Sequence, residues 1–351
     1  MSTLRYYTID VFSSIPFKGN PLAVVDTTTT TPSLTATQMK LIARQFNLSE
    51  TTFICPPTDN TTDNPTHTNE PANNKADWRL RSFLPNGEEV FGAGHNSLGA
   101  WWWISQSGLV DRPSGNGKTF HQELGNTILP VSISSSPSPS SEHITISMRQ
   151  GTPQFLNTYT DRESLARSLG IKEPDLGMRY AGIEIDEVRV VTTSPARHLL
   201  VPVRSVDVLR GVSFGDKHAI EDVLVRAGSY NSGVYVFTLV SAPVGNEEGS
   251  IIPSFEARFF SPAMGMEDPA TGSAAGPLGA YLYTGVNGSV GLRGGDGMMR
   301  IEVLQGVQTG RRCLMNVRVE DVGDGVGVWI SGTGVLVAEG SIVVPSLDLS
   351  F

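Results

Sequence analysis

The chain has 351 residues and a formal net charge of −9, and it is 39% hydrophobic and 17% charged. This length allows two domains with a substantial buried core, and the composition is that of an ordinary soluble protein. The negative charge and the lack of any Lys/Arg cluster argue against nucleic acid or an anionic membrane as a partner. No apolar run approaches about 18 residues, so we expect no membrane span.

Cofactor-binding and export signals are also missing from the sequence. The N-terminus lacks the apolar stretch of a secretory signal, which favours a cytoplasmic protein. Cys55 and Cys313 are far apart and form neither a disulfide framework nor a metal motif. The six histidines have no metal-binding spacing, and no glycine-rich phosphate loop is present. We therefore expect neither a metal nor a cofactor.

The first part of the chain alternates short strands with two helices. Runs of apolar residues predict strands at 5–12, 22–26, 51–57, 78–85, about 118–133 and 143–149. Thr35 is predicted to begin a helix with apolar positions up to Phe46. Residues 57–77 contain almost nothing apolar, which predicts a solvated loop. Residues 94–108 predict a helix that is apolar on most of its circumference, as in a helix buried on several sides.

The rest of the chain is rich in short strands. Amphipathic patterns predict helices at 161–171 and 215–228. Strands are predicted at 187–194, 198–205, 235–241, 255–262, 299–306, 313–321, 327–332 and 341–346. Many short strands with few helices indicate barrel-like sheets of an α+β protein, and not alternating βαβ units.

Two stretches of unusual composition correspond to each other, "EEVFGAGHNSLGAWWWI" (88–104) and "SPAMGMEDPATGSAAGPLGAYL" (261–282). In each, a strand carrying an arginine leads to a turn, an acidic pair, a triplet of a small residue, a glycine and a polar residue, and then an apolar helix of small residues. The two stretches are about 178 residues apart. This spacing favours two related halves, each with one central helix whose N-terminus faces outward.

Four sequence blocks together resemble the phenazine-biosynthesis PhzF-like family, which shares its fold with diaminopimelate epimerase. The blocks are "DVFSSIPFKGNPLAVV", "NLSETTFI", "GAGHNSLGA" and "EDPATGSAAGPLGAYL". The resemblance implies an α+β fold of two pseudo-symmetric domains, each a mostly antiparallel barrel-like sheet around a central helix. It implies one domain of residues 1–146 plus 335–351 and a second of residues 147–334. It also implies an active site in the cleft between the domains and a homodimer.

The resemblance also implies which residues carry the chemistry. In the epimerase branch, two cysteines at the helix N-termini act as acid and base, but here Ala93 and Thr271 stand at those positions. Thiol-based racemisation should therefore be absent. The PhzF branch uses a glutamate, a histidine, an aspartate and a serine, and the matching residues are Glu50, His95, Asp268 and Ser273. Where the family motif commonly has proline after the histidine, this chain has Asn96 at the expected pocket mouth.

These residue types suit proton transfer on a small carboxylated molecule. Two helix N-termini supply unpaired backbone N–H groups and a partial positive charge, which stabilise a carboxylate or an enolate without a metal. Gly94 and Gly272 permit close approach of substrate to the backbone. A carboxyl group that moves protons needs a pKa raised towards neutrality. We expect burial to raise the pKa of Glu50 and expect Glu50 to be the acid/base.

Each candidate also has a structural interpretation. Glu50 could be an exposed carboxylate at a strand edge, and Asp268, His95 and Ser273 could cap helices. Further residues could contact substrate, although arginines in strands and asparagines in turns are mostly structural: Asn20, Arg81, Asn86, Asn96, Arg258 and Thr271.

The function favoured by the sequence is a cofactor-independent isomerase that shifts a proton on a small carboxylated, cyclic or unsaturated metabolite. The nearest family activity isomerises a dihydro-hydroxyanthranilate on the way to phenazines, but the Asn/Thr-rich segment 57–77 and the linker-like "SSSPSPSSE" favour another secondary metabolite or an unknown one. Two alternatives remain at this point. The same pocket could serve a dehydratase, a cyclase or a double-bond migration, or the chain could be a non-catalytic small-acid-binding protein on an enzyme fold.

Overall fold

The computed structural model describes residues 2–58, 75–92, 94–111, 117–136, 143–180, 182–229, 232–245, 251–262, 265–285, 296–323 and 325–351. Most of the predicted loop at 57–77, and Ala93, lie outside these residues. The chain divides into two compact units. Unit 1 contains Met1–Met148 and Gly332–Phe351, and unit 2 contains Arg149–Ser331.

Unit 1 contains two helices, α1 (Ala36–Phe46) and α2 (His95–Ser107). Its strands are β1 (Thr3–Val11), β2 (Asn20–Asp26), β3 (Thr51–Cys55), β4 (Trp78–Phe83), β5 (Glu89–Val90), β6 (Lys118–Leu124), β7 (Thr127–Ser136), β8 (His143–Arg149) and β20 (Gly334–Val343). Hydrogen bonds join them in the order β20–β1–β2–β3–β4–β6–β7–β8. Two of these pairings, β2 with β3 and β4 with β6, are parallel, and the short β5 adds to β4.

The two helices of unit 1 lie on opposite faces of its sheet. As predicted, Thr35 begins helix α1 as its N-cap, and it forms a capping box with Gln38. The apolar side of α1 packs on Val25, Phe53 and Phe83. Alternate strand residues point to the other face, where α2 contacts β1, β2, β3, β4 and β20.

Unit 2 contains the helices α3 (Arg162–Ser168), α4 (Val206–Gly211), α5 (Lys217–Ala227) and α6 (Gly272–Thr284), with a short 3₁₀ turn at Glu173–Asp175. Its strands are β9 (Gln154–Thr158), β10 (Met178–Tyr180), β11 (Ile183–Ile185), β12 (Arg189–Thr192), β13 (His198–Pro202), β14 (Val234–Gly245), β15 (Ile251–Ser261), β16 (Met266–Asp268), β17 (Met299–Gln305), β18 (Cys313–Asp321) and β19 (Val326–Gly332). Strands β10 and β11 form a separate hairpin.

The main sheet of unit 2 has the order β9–β12–β13–β14–β15–β17–β18–β19. Its parallel pairings are β13 with β14 and β15 with β17, and the short β16 adds to β15. This is the same succession of parallel and antiparallel pairings as in unit 1. One face of the sheet, which includes Leu199, Val234 and Phe260, packs on α3, α4 and α5.

The other face of this sheet holds α6, most of whose residues are fully buried. The helix contacts β12 and β13 near one end of the strand order and β17 and β18 near the other. The sheet therefore curves around the helix. Close contact requires small residues: a Cβ on Gly279 would lie 2.6 Å from Val317 Cγ1.

The structure corrects several sequence-based boundaries. The stretch 118–133 is a hairpin of two strands, β6 and β7, that turns at Gly125 with φ +60°. The last strand begins at Gly334 and not near 341, because β20 pairs along the whole of β1 from Val11 to Thr3. Strand β9 and helix α4 were not predicted, since both are short and lack a clear apolar period. In the described ranges, no helix has the length and apolar character needed to cross a membrane.

Candidate active site

The start of α2 is held by the side chain of Asn96, which is 3% exposed. Its Oδ1 accepts from the Gly94 N–H at 3.0 Å, and its Nδ2 donates to Gly92 O and to Ser82 Oγ, each at 3.1 Å. Ser82 Oγ in turn lies 2.9 Å from Thr52 Oγ1. These bonds tie the first turn of α2 to β3 and β4. The side chain of Asn96 is thus occupied by backbone and core groups, and its predicted contact with substrate stays a prediction.

Glu50 and His95 lie together in unit 1. Glu50 directly precedes β3, and His95 is the first residue of α2. Glu50 Oε2 is 3.1 Å from His95 Nε2, with 18% and 8% of the two side chains exposed. Ser49 Oγ lies 3.3 Å from the same nitrogen. We call Ser49, Glu50 and His95 the α2 cluster.

The pKa of Glu50 differs from the expectation. Burial raises the pKa of this carboxyl and is the largest single effect, but the positive charge of His95, together with contacts from His95 and Ser49, brings the pKa below its ordinary value of 4.5. The expected rise towards neutrality is therefore wrong. Glu50 is a carboxylate at neutral pH. Although it contacts His95, its Oε2 is buried with no partner in hydrogen-bond geometry among the described residues.

Arg81, a candidate substrate contact, is paired within unit 1. Its Nε and Nη2 each donate to a different oxygen of Glu89 at 2.7 Å. The guanidinium also lies 5.1 Å from the ring centre of Phe83. Asn20, another candidate, is 1% exposed at the start of β2.

The acidic pair of unit 2 separates because successive strand residues point to opposite faces. Glu267 is opposite Phe260 in β15, and Asp268 is opposite Phe259. Glu267 accepts from Arg258 Nε and Nη2 at 2.8 and 2.7 Å, and Arg258 Nη1 donates to the carbonyls of Leu209 and Val212. Glu267 thus completes a buried ion pair, and Asp268 points to the face that holds α6.

Asp268, Thr271 and Gln305 form a connected network before α6. Thr271 Oγ1 donates to Asp268 Oδ2 at 2.6 Å. Gln305, which is fully buried, donates from Nε2 to Asp268 O at 2.7 Å and to Thr271 Oγ1 at 3.0 Å, while its Oε1 accepts from the Thr271 N–H at 3.1 Å. Gln305 was not predicted. It lies at the end of β17, and no local pattern marks it.

Ser273 is the second residue of α6 and contacts a histidine that was not predicted as functional. Its Oγ lies 3.1 Å from Nε2 of His198. His198 begins the apolar strand β13, so the sequence gives it no feature of a site residue. We call His198, Asp268, Thr271 and Ser273 the α6 cluster.

The first turn of α6 has free donors. The N–H groups of Ala274 and Ala275 donate to Thr271 O at 2.9 and 3.0 Å. Among the described residues, the N–H groups of Gly272 and Ser273 have no partner. Such donors at a helix start, with the helix dipole, bind a carboxylate or a developing oxyanion.

The two units share one local arrangement, an Arg–Glu ion pair between neighbouring strands, but their acidic pairs do not align with each other. Arg81 with Glu89 and Arg258 with Glu267 are the same kind of ion pair, and Phe83 is opposite Glu89 as Phe260 is opposite Glu267. By strand position, Asp268 therefore corresponds to Val90. The acidic pair Glu88–Glu89 is therefore not the counterpart of Glu267–Asp268 by strand position.

Neither cysteine stands where the epimerase branch has its thiols. Cys55 lies in β3 and Cys313 in β18, and both are buried. Burial raises the pKa of the Cys55 thiol, which keeps it protonated. Ala93 is outside the described residues, and Thr271 bonds to Asp268.

Comparison with known proteins gives a consistent result along the whole chain. The family model described as "Phenazine biosynthesis-like protein" matches residues 9–340. A trans-2,3-dihydro-3-hydroxyanthranilate isomerase of Pseudomonas aeruginosa is 31% identical over 338 residues, which cover 96% of this chain and 98% of the relative. The isomerase of the same name from Pseudomonas chlororaphis is 30% identical, covering 97% of this chain and 99% of the relative.

A solved structure agrees with this result. The crystal structure of a phenazine biosynthesis protein of the PhzF family from Bacillus anthracis matches with a TM-score of 0.75 and 26% identity. The match covers 98% of this chain and 100% of the Bacillus anthracis chain.

Proposed function

Because the chain belongs to the phenazine biosynthesis-like (PhzF) family, whose curated relatives are named isomerases, we propose that it is a cofactor-independent isomerase. It moves a proton by acid/base catalysis on a small carboxylated, cyclic or unsaturated molecule. The pseudo-symmetric origin of the two units is part of this proposal, and the repeated strand pairings and the repeated Arg–Glu pairs support it.

The contact between Glu50 and His95 carries the proposal. A base must be ionised and held in place, and Oε2 of Glu50 is buried 3.1 Å from Nε2 of His95. The lowered pKa of Glu50 keeps it ionised at neutral pH. The carboxylate takes a proton from a carbon of the substrate and returns it to another carbon. The charge of His95, 3.1 Å away, stabilises the electron-rich intermediate between the two transfers.

The α6 cluster is assigned the anchoring of the substrate. The free N–H groups of Gly272 and Ser273 and the hydroxyl of Ser273 are suited to a carboxylate. Asp268, fixed through Thr271 and Gln305, is suited to a substrate amino or hydroxyl group. Gly94 permits close approach of the substrate to the backbone at the start of α2. Asn20 and Asn96 remain proposed neighbours of substrate, while Arg81 and Arg258 act through the ion pairs that shape each site.

The first substrate to test is trans-2,3-dihydro-3-hydroxyanthranilate, after which the Pseudomonas relatives are named. Turnover in D₂O should place solvent deuterium on a ring carbon without loss of water. Glu50→Gln should lower kcat by about 10²- to 10⁴-fold, because it removes the base. The matched control is Glu339→Gln, which changes an exposed carboxylate of unit 1 and should leave kcat unchanged. A Glu50→Gln enzyme with the full rate would refute the assignment.

A further inference from the structure

His198 joins two serines through its two ring nitrogens. Its Nδ1 lies 2.6 Å from Ser232 Oγ, and its Nε2 lies 3.1 Å from Ser273 Oγ. The three residues belong to different elements: Ser232 precedes β14, His198 begins β13 and Ser273 lies in the first turn of α6. All three belong to unit 2.

The surroundings hold this imidazole in one place and in one charge state. His198 is 2% exposed, and the edge of the Phe259 ring packs against it with the ring centres 5.3 Å apart. Burial lowers the pKa of His198 to about 3, so the ring is neutral at physiological pH. A neutral imidazole has one donor and one acceptor nitrogen. Its effect on Ser273 therefore depends on which nitrogen carries the proton.

The two contact distances favour a proton on Nε2 of His198 over one on Nδ1. N–H···O bonds usually span about 2.7–3.2 Å, whereas hydroxyl donors approach to about 2.5–3.0 Å. The 3.1 Å contact fits an Nε2–H that donates to Ser273 Oγ. The 2.6 Å contact is shorter than a usual N–H···O bond, and it fits a Ser232 hydroxyl that donates to Nδ1. With both bonds oriented in this way, the hydroxyl proton of Ser273 has no acceptor among the residues that the structure describes.

We propose that His198 is a positioning residue, whose Ser232-bound, Nε2-protonated ring orients Ser273 so that its hydroxyl donates to the substrate. The inference rests on the proposed contact of Ser273 with substrate and deepens it. The opposite tautomer would accept the hydroxyl proton of Ser273 and withdraw it from the substrate. Ser232 therefore affects the orientation of the Ser273 hydroxyl only through His198.

Gly233 makes the arrangement possible. A Cβ at Gly233 would lie 2.3 Å from Phe260 O and 2.6 Å from the Phe259 ring. Only glycine lets the chain lie this close to β15 directly after Ser232. The hydroxyl of Ser232 is thereby brought to Nδ1 of His198 beside the same Phe259 ring.

The first test reads the tautomer and needs no activity. Full-length protein labelled with ¹⁵N-histidine is examined by long-range ¹H–¹⁵N correlation at neutral pH, with His198→Gln to assign the signal. We expect a neutral His198 protonated on Nε2, and a mixture of tautomers in Ser232→Ala. A wild-type ring that is protonated on Nδ1, or is charged, overturns the inference.

The second test reads the effect on the site through a double-mutant cycle. Ser232→Ala should lower kcat/KM on trans-2,3-dihydro-3-hydroxyanthranilate by about five- to tenfold, the equivalent of one hydrogen bond. In the Ser273→Ala background it should have no further effect. Equal losses in both backgrounds, or no loss in either, overturn the inference.

Two controls separate this inference from the proposed function. Ser168→Ala removes a buried hydroxyl that donates to Leu165 O in α3 and should leave kcat unchanged. If trans-2,3-dihydro-3-hydroxyanthranilate is not turned over, the same cycle is measured by calorimetry with 2-aminobenzoate as the probe. Ser232→Ala should then weaken binding about fivefold when Ser273 is present and not when it is absent. The absence of that difference overturns the inference, whereas the loss of turnover alone bears only on the proposed reaction.

Discussion

Glu267 and Asp268 are adjacent carboxylates with different roles in the fold. Glu267 is on the face that meets Arg258, and Asp268 is on the face that meets α6. The two-residue period of a strand produces this separation, since neighbouring side chains point to opposite faces. A pair of acids that looks like one feature in the sequence therefore contributes one structural group and one candidate functional group.

Glu50 leads to a pH prediction. Because the pKa of Glu50 is lowered, its carboxylate persists below pH 4.5. We therefore expect kcat/KM to fall on the acid side of the profile only below that value. His95→Gln removes the positive charge while burial remains, and burial raises the pKa of Glu50. The acid limb should then move to higher pH. Profiles of kcat/KM across the acid and neutral range, measured for the wild type and for His95→Gln, locate the acid limb of each enzyme.

The control for this profile is His143→Gln, which changes an exposed histidine of unit 1 and should leave the acid limb in place. An acid limb above pH 5 in the wild type would contradict the balance of burial and charge described for Glu50. An acid limb that does not move to higher pH in His95→Gln would also contradict this balance.

At the scale of elements, the pair of Arg258 and Glu267 joins β15 to β16 and to the chain around α4. Only 8% of the Arg258 side chain is exposed, so Glu267→Gln leaves a buried charge without its partner. We expect a loss of about 3 kcal/mol in the free energy of unfolding, measured by urea denaturation. Glu163→Gln, which breaks an exposed pair within α3, should change almost nothing. Equal effects of the two variants would contradict this account.

The packing of α2 on its sheet gives a second prediction at this scale. A Cβ on Gly99 would lie 2.6 Å from both Leu22 Cδ2 and Val11 Cγ2. Gly99→Ala should therefore cost about 1–3 kcal/mol through overpacking, although alanine is the better helix former. Gly211→Ala in α4 meets no atom within 4 Å and should be neutral or slightly stabilising. Thermal unfolding compares the two, and a stabilising Gly99→Ala would show that the helix is not packed this closely.

At the scale of the whole molecule, the C-terminal strand belongs to the first unit. Strand β20 pairs with β1 from Thr3 to Val11, although almost the whole sequence separates them. Removal of residues 334–351 should expose an edge of β1 and abolish amide protection in β1, while β13 and β14 keep theirs. Hydrogen exchange followed by mass spectrometry measures both. Equal loss of protection in both units would show that they do not hold their structure separately.

Local signals in the sequence predicted most of the elements. The helix start at Thr35 and the apolar runs of β3 and β18 depend on neighbours within a few residues, and the structure has them where expected. The elements that were missed are all short: helix α4 and the strands β5, β9, β10, β11 and β16. The family, too, could be recognised from four short blocks, and the comparisons confirm it.

The sequence alone determined the class of fold, the family and the identity of Glu50, His95, Asp268 and Ser273 as candidates, because these depend on short motifs and on periodicity. Tertiary structure alone decided the partners of those residues. Gln305 and His198 are distant in sequence from the groups they contact, and the pKa of Glu50 is lowered with the contribution of His95, which lies 3.1 Å away in space. Partners and pKa values depend on distance in space, and no local pattern in this chain encodes that distance.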